Sequence, residues 1–176
     1  MRTFIALDLP PDFADDAAAL ARRLSASMEG RFLKRDTYHL TLAFLGDVDE
    51  AQLAAATDAL EAACAGASPV PLRSDGLGKF GRATDATLWL GIAAAPELEQ
   101  LAARLRDELR ARDVPFDAKP FKAHLTLARR VLSRAEPGAL LGSAVACPVR
   151  DIRLMLSERP GGRLTYTELF RAPFPR

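Results

Sequence analysis

The 176-residue sequence predicts an α+β fold of two similar lobes related by a pseudo-two-fold axis, each an antiparallel sheet backed by helices, with a cleft between them. The pentamer His-Leu-Thr-Leu-Ala occupies residues 39–43 and again residues 124–128, 85 residues later. Each copy lies in a strand-like segment, and helix-like apolar stripes occur in both halves. Such self-similarity indicates an internal duplication, and the length suits one domain over residues 1–176.

The first elements are a strand and a helix. Residues 3–9 alternate between apolar and polar and then meet Pro10 and Pro11, which predicts a strand that ends at the prolines. Asp12 is the expected N-cap of the helix that follows, and Gly30 its expected stop. The apolar stripe of this helix consists of Phe13, Ala17, Leu20, Ala21, Leu24 and Met28.

The remainder of the first half predicts a short strand over residues 31–34 and a second strand over residues 38–45, which carries the first pentamer. A helix is expected to begin near Asp49, and residues 70–80 are expected to be extended. The apolar stripe of that helix consists of Leu53, Ala56, Leu60 and Ala63.

The second half begins with a predicted strand over residues 86–93, followed by a helix that has Pro96 at its first position. The stripe of this helix consists of Leu98, Leu101, Ala102, Leu105 and Leu109. The second pentamer lies in a predicted strand over residues 123–130. Ser133 to Glu136 resembles a capping box, but Pro137 leaves room for a short helix at most.

The C-terminal segment predicts a hairpin. Ile152, Leu154 and Leu156 alternate with polar residues, residues 160–162 read Pro-Gly-Gly, and residues 164–170 complete the second strand. The order in which the strands pair does not follow from the sequence pattern.

The net charge of +1 conceals an asymmetry between the two ends of the chain. Residues 119–176 carry 11 Lys and Arg against 4 Asp and Glu, a net charge of +7, whereas residues 1–118 carry 13 against 19, a net charge of −6. This imbalance indicates an anionic partner for the C-terminal third. The alternative is that these arginines only solvate the surface.

Several classes of protein are disfavoured. No apolar run approaches the roughly 18–20 residues that cross a membrane, and Asp8 interrupts the apolar N-terminal stretch, which makes it a poor signal peptide. Cys64 and Cys147 have no CxxC spacing, so we interpret them as small buried residues of a cytoplasmic protein with reduced thiols. The two histidines form no HxxxH pattern and no acidic cluster accompanies them, so too few ligands are offered for a metal site.

The two pentamers carry the chemistry. In an extended strand alternate side chains share a face, so His39 and Thr41 should point one way and Leu40 and Leu42 the other, with the same division in the second copy. A pseudo-two-fold would then place His39 and His124 on opposite sides of one point in the cleft. Two imidazoles so placed suit an in-line displacement at phosphorus, in which one takes a proton from the attacking water and the other protonates the leaving oxygen.

The threonines fit the same interpretation. The hydroxyls of Thr41 and Thr126 could hydrogen-bond the non-bridging oxygens of a phosphate between the histidines. The competing interpretation is that the pentamers are a relic of duplication without chemistry. A lone His-x-Thr is almost uninformative, but here both histidines of the chain stand in identical pentamers, which favours a catalytic pair.

Longer segments carry a resemblance to a known family. They are residues 2–10, His39-Leu-Thr-Leu-Ala-Phe-Leu-Gly46, Gly76-Leu-Gly-Lys-Phe80, residues 88–91, Pro120-Phe-Lys-Ala-His-Leu-Thr-Leu-Ala-Arg129 and residues 156–162. With these the chain resembles the two-histidine phosphoesterase superfamily, and within it the bacterial RNA 2′,3′-cyclic phosphodiesterases, once called 2′-5′ RNA ligases. The resemblance implies metal-independent hydrolysis of a terminal 2′,3′-cyclic phosphate on RNA to a 2′-phosphomonoester, without a cofactor.

The resemblance also implies roles for individual residues. His39 is the expected general acid toward O3′ and His124 the expected general base toward water, although the sequence alone permits the reverse. Phe44 would stack on a base and Arg129 would bind phosphate, with Arg130 as the competing cation. Phe44 and Arg129 each follow a motif histidine by five residues, an odd offset that points to the leucine face unless a strand end or bulge re-aims them.

Three alternatives remain open at this point. The same site could act on small cyclic nucleotides or 2′-5′ linkages, it could catalyse the reverse ligation, or the cleft could bind RNA ends without catalysis. The family often has Trp where Phe32 stands and Pro where Ala123 stands, which concerns the surface near Phe32, Lys34 and Tyr38. We expect a monomer whose partner is an RNA end, with no membrane and no metal partner.

Overall fold

A computed structural model describes residues 1–132 and 147–176 of the chain. In the described part the helices are α1 Pro11–Ser25, α2 Glu50–Cys64 and α3 Pro96–Ala111. The strands are β1 Arg2–Leu7, β2 Glu29–Phe32, β3 Leu40–Asp47, β4 Val70–Leu72, β5 Ser74–Arg82, β6 Asp85–Ile92, β7 His124–Leu132, β8 Cys147–Val149, β9 Asp151–Glu158 and β10 Thr165–Pro173. The expected helix after Ser133 falls outside the described residues.

Two four-stranded antiparallel sheets form the two lobes. The order in the first, which we call the His39 sheet, is β10-β9-β1-β3, and the order in the second, the His124 sheet, is β2-β7-β6-β5. A small sheet pairs β4 with β8. The α+β prediction of two lobes with antiparallel sheets and helices is confirmed.

The two pentamers occupy equivalent places in a repeated β-α-β unit. In the first unit β1 leads through α1 to β3, and in the second β6 leads through α3 to β7; in both, the pentamer strand pairs antiparallel with the strand that precedes the helix. The lobes are nevertheless not the two halves of the chain. The hairpin β9–β10 joins the His39 sheet, and β2 joins the edge of the His124 sheet.

Helix α1 differs from its prediction at both ends. It begins at Pro11, with Pro10 at the N-cap and no side-chain cap, because proline has the helical φ and lacks only an N–H that would be unpaired there. The prediction of Asp12 as N-cap is therefore wrong. The helix ends at Ser25, and Gly30 lies in β2 instead, where a Cβ would approach the Cα of Val131 to 3.2 Å, so glycine permits close strand pairing.

Local signals at the other two helices are confirmed. Asp49 caps α2: its carboxylate accepts the backbone N–H of Gln52 at 2.8 Å, and the Gln52 side chain accepts the backbone N–H of Asp49 at 3.0 Å. Pro96 stands at the start of α3. A core of leucine, isoleucine, valine and alanine lies between helices and sheets, and Cys64 is buried in it as predicted. The side chain of Cys147 lies outside the described part.

Candidate active site

A cavity of about 960 Å³ lies between the two sheets. Both pentamer strands line it, and so do the segment before β7 and the hairpin β9–β10. The lining side chains that matter for the chemistry are His39, Thr41, Phe44, His124, Thr126, Arg129 and Tyr166. All six site residues expected from the sequence therefore meet in one cavity.

Strand alternation divides each pentamer as expected. Leu40, Leu42, Leu125 and Leu127 are at most 1 % exposed and belong to the core. His39, Thr41, His124 and Thr126 lie on the opposite face and line the cavity. The leucines anchor each strand in its lobe, so the polar pairs are held on rigid elements.

One bulge in each pentamer strand brings Phe44 and Arg129 into the cavity. Ala6 pairs with Thr41 and Ile5 with Ala43, so the residue between them is extra. The same irregularity follows Thr126, since Trp89 pairs with Thr126 and Leu88 with Ala128. An extra residue reverses the alternation, so the fifth residue after each histidine turns to the cleft face.

The tautomer of both histidines is set by a backbone carbonyl two residues upstream. The Nδ1 of His39 lies 2.9 Å from the carbonyl oxygen of Thr37, and the Nδ1 of His124 lies 2.6 Å from that of Lys122. A carbonyl only accepts, so each Nδ1 carries hydrogen and donates it. Each Nε2 is left to accept a proton when the ring is neutral and to donate one when it is charged.

Aromatic rings flank each imidazole in a matching arrangement. His39 lies 4.5 Å from Phe4 and 5.0 Å from Tyr166, measured between ring centroids, with the Tyr166 ring nearly perpendicular. His124 lies 5.2 Å from Phe80 and 6.1 Å from Trp89. Phe4 and Trp89 come from the strands paired with the two pentamer strands, so this feature also repeats with the β-α-β unit.

Burial dominates the electrostatics of His39. Removal from water has the largest effect and lowers the pKa of its imidazole, the carbonyl of Thr37 raises it, and the charges of Arg129 and His124 lower it, which together leave a pKa of about 4. The ring is therefore neutral at pH 7 in the free protein. Burial also raises the pKa of the Tyr166 phenol, against the charges of Arg129, Arg159 and Arg2.

Arg129 is the cation that reaches the histidines. It lines the cavity, acts on the pKa of His39, and has no carboxylate within ion-pair distance among the residues described. Arg130 adopts a positive φ of 54° and does not line the cavity. Both arginines lie within the second bulge of β7, between Ala128 and Val131, and of the two only Arg129 lines the cavity where an anion would bind.

The segment before β7 forms one wall. The backbone N–H of Asp117 donates to the carbonyl of Phe44 at 2.8 Å, and Arg106 from α3 donates to the carbonyl of Lys119 at 2.8 Å. Lys122 lines the same wall with its Nζ 4.3 Å from the centroid of Trp89. These contacts tie the wall to both lobes and bring Lys122 next to His124.

Sequence reasoning missed the aromatic flanks and misplaced one surface. Tyr166 and Phe80 line the cavity, but each lies in a strand whose pairing brings it to a histidine and whose own sequence gives no such signal. Tyr38, considered part of the substrate-facing surface, is 6 % exposed and belongs to the core. Leu33 and Thr37 line the cavity at that position instead.

The described part of the chain offers neither a metal-binding cluster nor a membrane-spanning helix. Within residues 1–132 and 147–176, no group of three or more histidine, cysteine or acidic side chains is arranged to hold a metal ion. None of the helices in the same part of the chain is long and apolar enough to span a membrane.

The chain is similar to known proteins of one family. The model of a family described as the 2′-5′ RNA ligase superfamily matches residues 9–159. An Escherichia coli protein named RNA 2′,3′-cyclic phosphodiesterase is 32 % identical over 97 % of this chain and 94 % of its own length. A Geobacillus stearothermophilus protein of the same name is 31 % identical over 85 % of this chain, which spans about half (49 %) of that relative.

Solved structures give the same assignment. Escherichia coli LigT complexed with 3′-AMP has a TM-score of 0.83 at 27 % identity, with 99 % of this chain and 98 % of that one covered. TT0787 of Thermus thermophilus has a TM-score of 0.79 at 26 % identity, with the same coverage. Family match, relatives and fold agree, and the chain belongs to the 2′-5′ RNA ligase superfamily.

Proposed function

We propose that this chain hydrolyses a terminal 2′,3′-cyclic phosphate on RNA to a 2′-phosphomonoester, without a metal or other cofactor. The observation that carries the proposal is the pair of imidazoles in one cavity, each with its Nδ1 bonded to a carbonyl and its Nε2 free for proton transfer. The substrate class comes from the relatives, several of which are named RNA 2′,3′-cyclic phosphodiesterase. A module that only binds RNA ends needs no such matched pair of proton-transfer groups.

The reaction divides between the two histidines. Water attacks phosphorus while the Nε2 of His124 accepts its proton, and the P–O3′ bond breaks while the Nε2 of His39 donates a proton to O3′. The phosphate remains on O2′, and the pair returns to its starting state when a proton passes from His124 to His39 through solvent. Charge and atoms balance with water as the only co-reactant.

His39 must be protonated to act as the acid, although its pKa is about 4 in the free protein. The bound phosphodiester supplies the missing charge. An anion within hydrogen-bond distance of an imidazole favours its charged form and raises its pKa by about 1–3 units. Substrate binding thus brings the proton to His39, and the same anion is held by Arg129, whose charge opposes that proton in the free protein.

The remaining site residues hold the substrate. The hydroxyls of Thr41 and Thr126 donate to the non-bridging oxygens, where negative charge grows in the transition state. Arg129 adds a charge-assisted contact to the same group. Phe44 offers a ring face at the edge of the cavity for the terminal base.

One chain supplies every member of this site. His39 and Tyr166 come from one sheet and His124 and Arg129 from the other. We therefore propose that residues 1–176 act as a single domain and as a monomer.

The test is identification of the product. An oligonucleotide ending in a 2′,3′-cyclic phosphate is incubated with the protein in excess EDTA, and the product end is identified by its resistance to a 3′-specific phosphatase and by phosphorus NMR. The expected product is a 2′-phosphomonoester, formed at the same rate with and without EDTA. A 3′-phosphate product, or activity lost on chelation and restored by one metal, would overturn the mechanism.

A further inference from the structure

The cleft face of the His39 sheet has opposite charge at its two ends. Arg2 and Phe4 are two residues apart on β1 and share a face, and the Phe4 ring contacts His39 and Tyr166. Since Thr3 pairs with Leu156, Arg2 lies at the level of Ser157, which pairs with Tyr166. This row of the sheet therefore runs from Arg2 to Tyr166 at the mouth of the cavity.

Two arginines at this end have no acidic partner among the residues that the structure describes. Arg2 lies over the ring of Phe44, with its guanidinium carbon 5.1 Å from the centroid. Arg159 directly follows Glu158, which pairs with Thr165 next to Tyr166. Both arginines are exposed, and among the described residues neither has a carboxylate within ion-pair distance. Their charges also reach the Tyr166 phenol.

The other end of the same face is acidic and its cations are neutralised. Arg153 pairs with Ala6, two residues beyond Phe4, and lies 2.8 Å from Asp8, 3.2 Å from Asp151 and 3.4 Å from Glu168. Arg171 lies 2.9 Å from Glu168. Three carboxylates against two guanidiniums leave this end with a net negative charge, which disfavours a phosphate there.

We propose that Arg2 and Arg159 form a subsite for the phosphodiester that precedes the terminal nucleotide, so that the RNA strand leaves the cleft past Tyr166 and away from Arg153. The inference rests on the proposed function, because the terminal phosphate must sit between the histidines. With the last base on Phe44, the next phosphate upstream falls at the rim where Arg2 covers that ring. Guanidiniums bind phosphate oxygens through paired N–H donors.

The experiment compares two substrates that differ by one phosphodiester. One is a nucleoside 2′,3′-cyclic phosphate, and the other is a dinucleotide ending in a 2′,3′-cyclic phosphate. Arg2→Gln and Arg159→Gln should each raise the KM for the dinucleotide relative to that for the mononucleotide by about 3- to 10-fold at low salt. Each should also reduce the slope of log(1/KM) against log[salt] for the dinucleotide by about 0.7.

Arg163→Gln is the matched control. Arg163 is an exposed cation of the same hairpin, it has no acidic partner within the described residues, and its charge is not among those that reach Tyr166. It should leave both KM values unchanged. The subsite is refuted if the Arg2→Gln/Arg159→Gln double variant keeps the wild-type KM ratio, or if Arg163→Gln lowers dinucleotide affinity as much as the other two.

A binding measurement separates this subsite from the proposed function. If the wild-type protein hydrolyses neither substrate, the proposed function fails. The subsite then depends on the affinities of a dinucleotide 2′-phosphate and a nucleoside 2′-monophosphate, followed through the fluorescence of Trp89, the one tryptophan of the sequence. Tighter binding of the dinucleotide that is lost in the double variant supports the subsite; equal binding of the two ligands refutes it.

Discussion

His39 shows how a single residue is tuned by its surroundings. The rings of Phe4 and Tyr166 remove it from water, while the carbonyl of Thr37 fixes its tautomer. Burial and the charge of Arg129 leave its pKa at about 4, so the neutral ring predominates until an anion enters. That His39 would face the cleft was predictable from the sequence. Its protonation state was not, because Phe4 and Tyr166 contact it only through the pairing of strands in the sheet.

The pH dependence of catalysis should report this tuning. Because kcat/KM reflects the free protein and His39 acts in its protonated form, the contribution of His39 to kcat/KM should decrease as the pH rises through about 4, where the free imidazole loses its proton. In kcat, which reflects the complex, the same decrease should lie at higher pH because the bound phosphate raises the pKa of His39. Proton NMR should show His39 titrating near pH 4, and higher with a nucleoside 2′-monophosphate bound. Titration of His39 near 6.5 in the free protein would contradict this account.

Arg129 and Arg130 provide a comparison between neighbouring residues of the same type. Arg129 lines the cavity and Arg130 does not. Arg129→Ala should lower kcat/KM for a cyclic mononucleotide by about 10- to 100-fold, as expected for a lost charge-assisted contact to phosphate. Arg130→Ala should change it by less than about 2-fold, a surface substitution away from the substrate. A larger loss for Arg130→Ala would return the phosphate contact to the alternative that the sequence left open.

The strands show why the alternation of side chains was not enough to predict which residues face the cavity. The leucine and histidine faces of both pentamer strands follow from a period of two, and the capping box of Asp49 and Gln52 follows from local hydrogen bonding. The bulges after Thr41 and Thr126 do not follow, because an extra residue is defined only against the partner strand. The odd offset of Phe44 and Arg129 from the histidines predicted that a bulge would be needed to turn them into the cavity, but the position of the bulge could not be predicted.

A glycine in strand β5 leaves room for the Trp89 ring that lies beside His124. Gly78 pairs with Trp89, and a Cβ at Gly78 would overlap the indole ring. Gly78→Ala should therefore displace Trp89 and lower the free energy of unfolding by about 1–3 kcal/mol, the usual cost of overpacking. Urea denaturation followed by circular dichroism measures the loss, and a shifted tryptophan emission reports the displacement. Ser74→Ala, in the same strand but paired with Ile92, is the control and should leave the emission unchanged. Unaltered emission in Gly78→Ala would show that the indole does not occupy this position.

At the scale of the whole molecule, each sheet includes at least one strand from the other half of the sequence. The hairpin β9–β10 completes the His39 sheet from the far end of the chain and delivers Tyr166 to His39. No local sequence pattern specifies such pairing, because the backbone hydrogen bonds between two strands do not depend on how far apart the strands lie in the sequence. The two-lobe architecture was therefore predictable from the repeated pentamer, whereas the strand order was not.

A complete cleft within one chain has a measurable consequence. Since one chain carries both histidines and both threonines, the specific activity should not depend on protein concentration over a roughly 1,000-fold dilution, and sedimentation should give the mass of one chain. A fall in specific activity on dilution, accompanied by dissociation of a larger species, would show that a second copy contributes to the site.

The central claim is that His39 and His124 act as one catalytic unit on one phosphorus atom. The direct measurement is kcat for a 2′,3′-cyclic phosphate substrate in His39→Ala, His124→Ala and the double variant, each verified as folded by circular dichroism. Each single variant should lose about 10²- to 10⁴-fold in kcat, and the double variant should be little worse than the poorer single one. A substrate with a good leaving group should rescue His39→Ala alone; rescue of His124→Ala instead would exchange the acid and base roles. Full activity in either single variant would contradict the claim and leave the repeated pentamer as a relic of duplication.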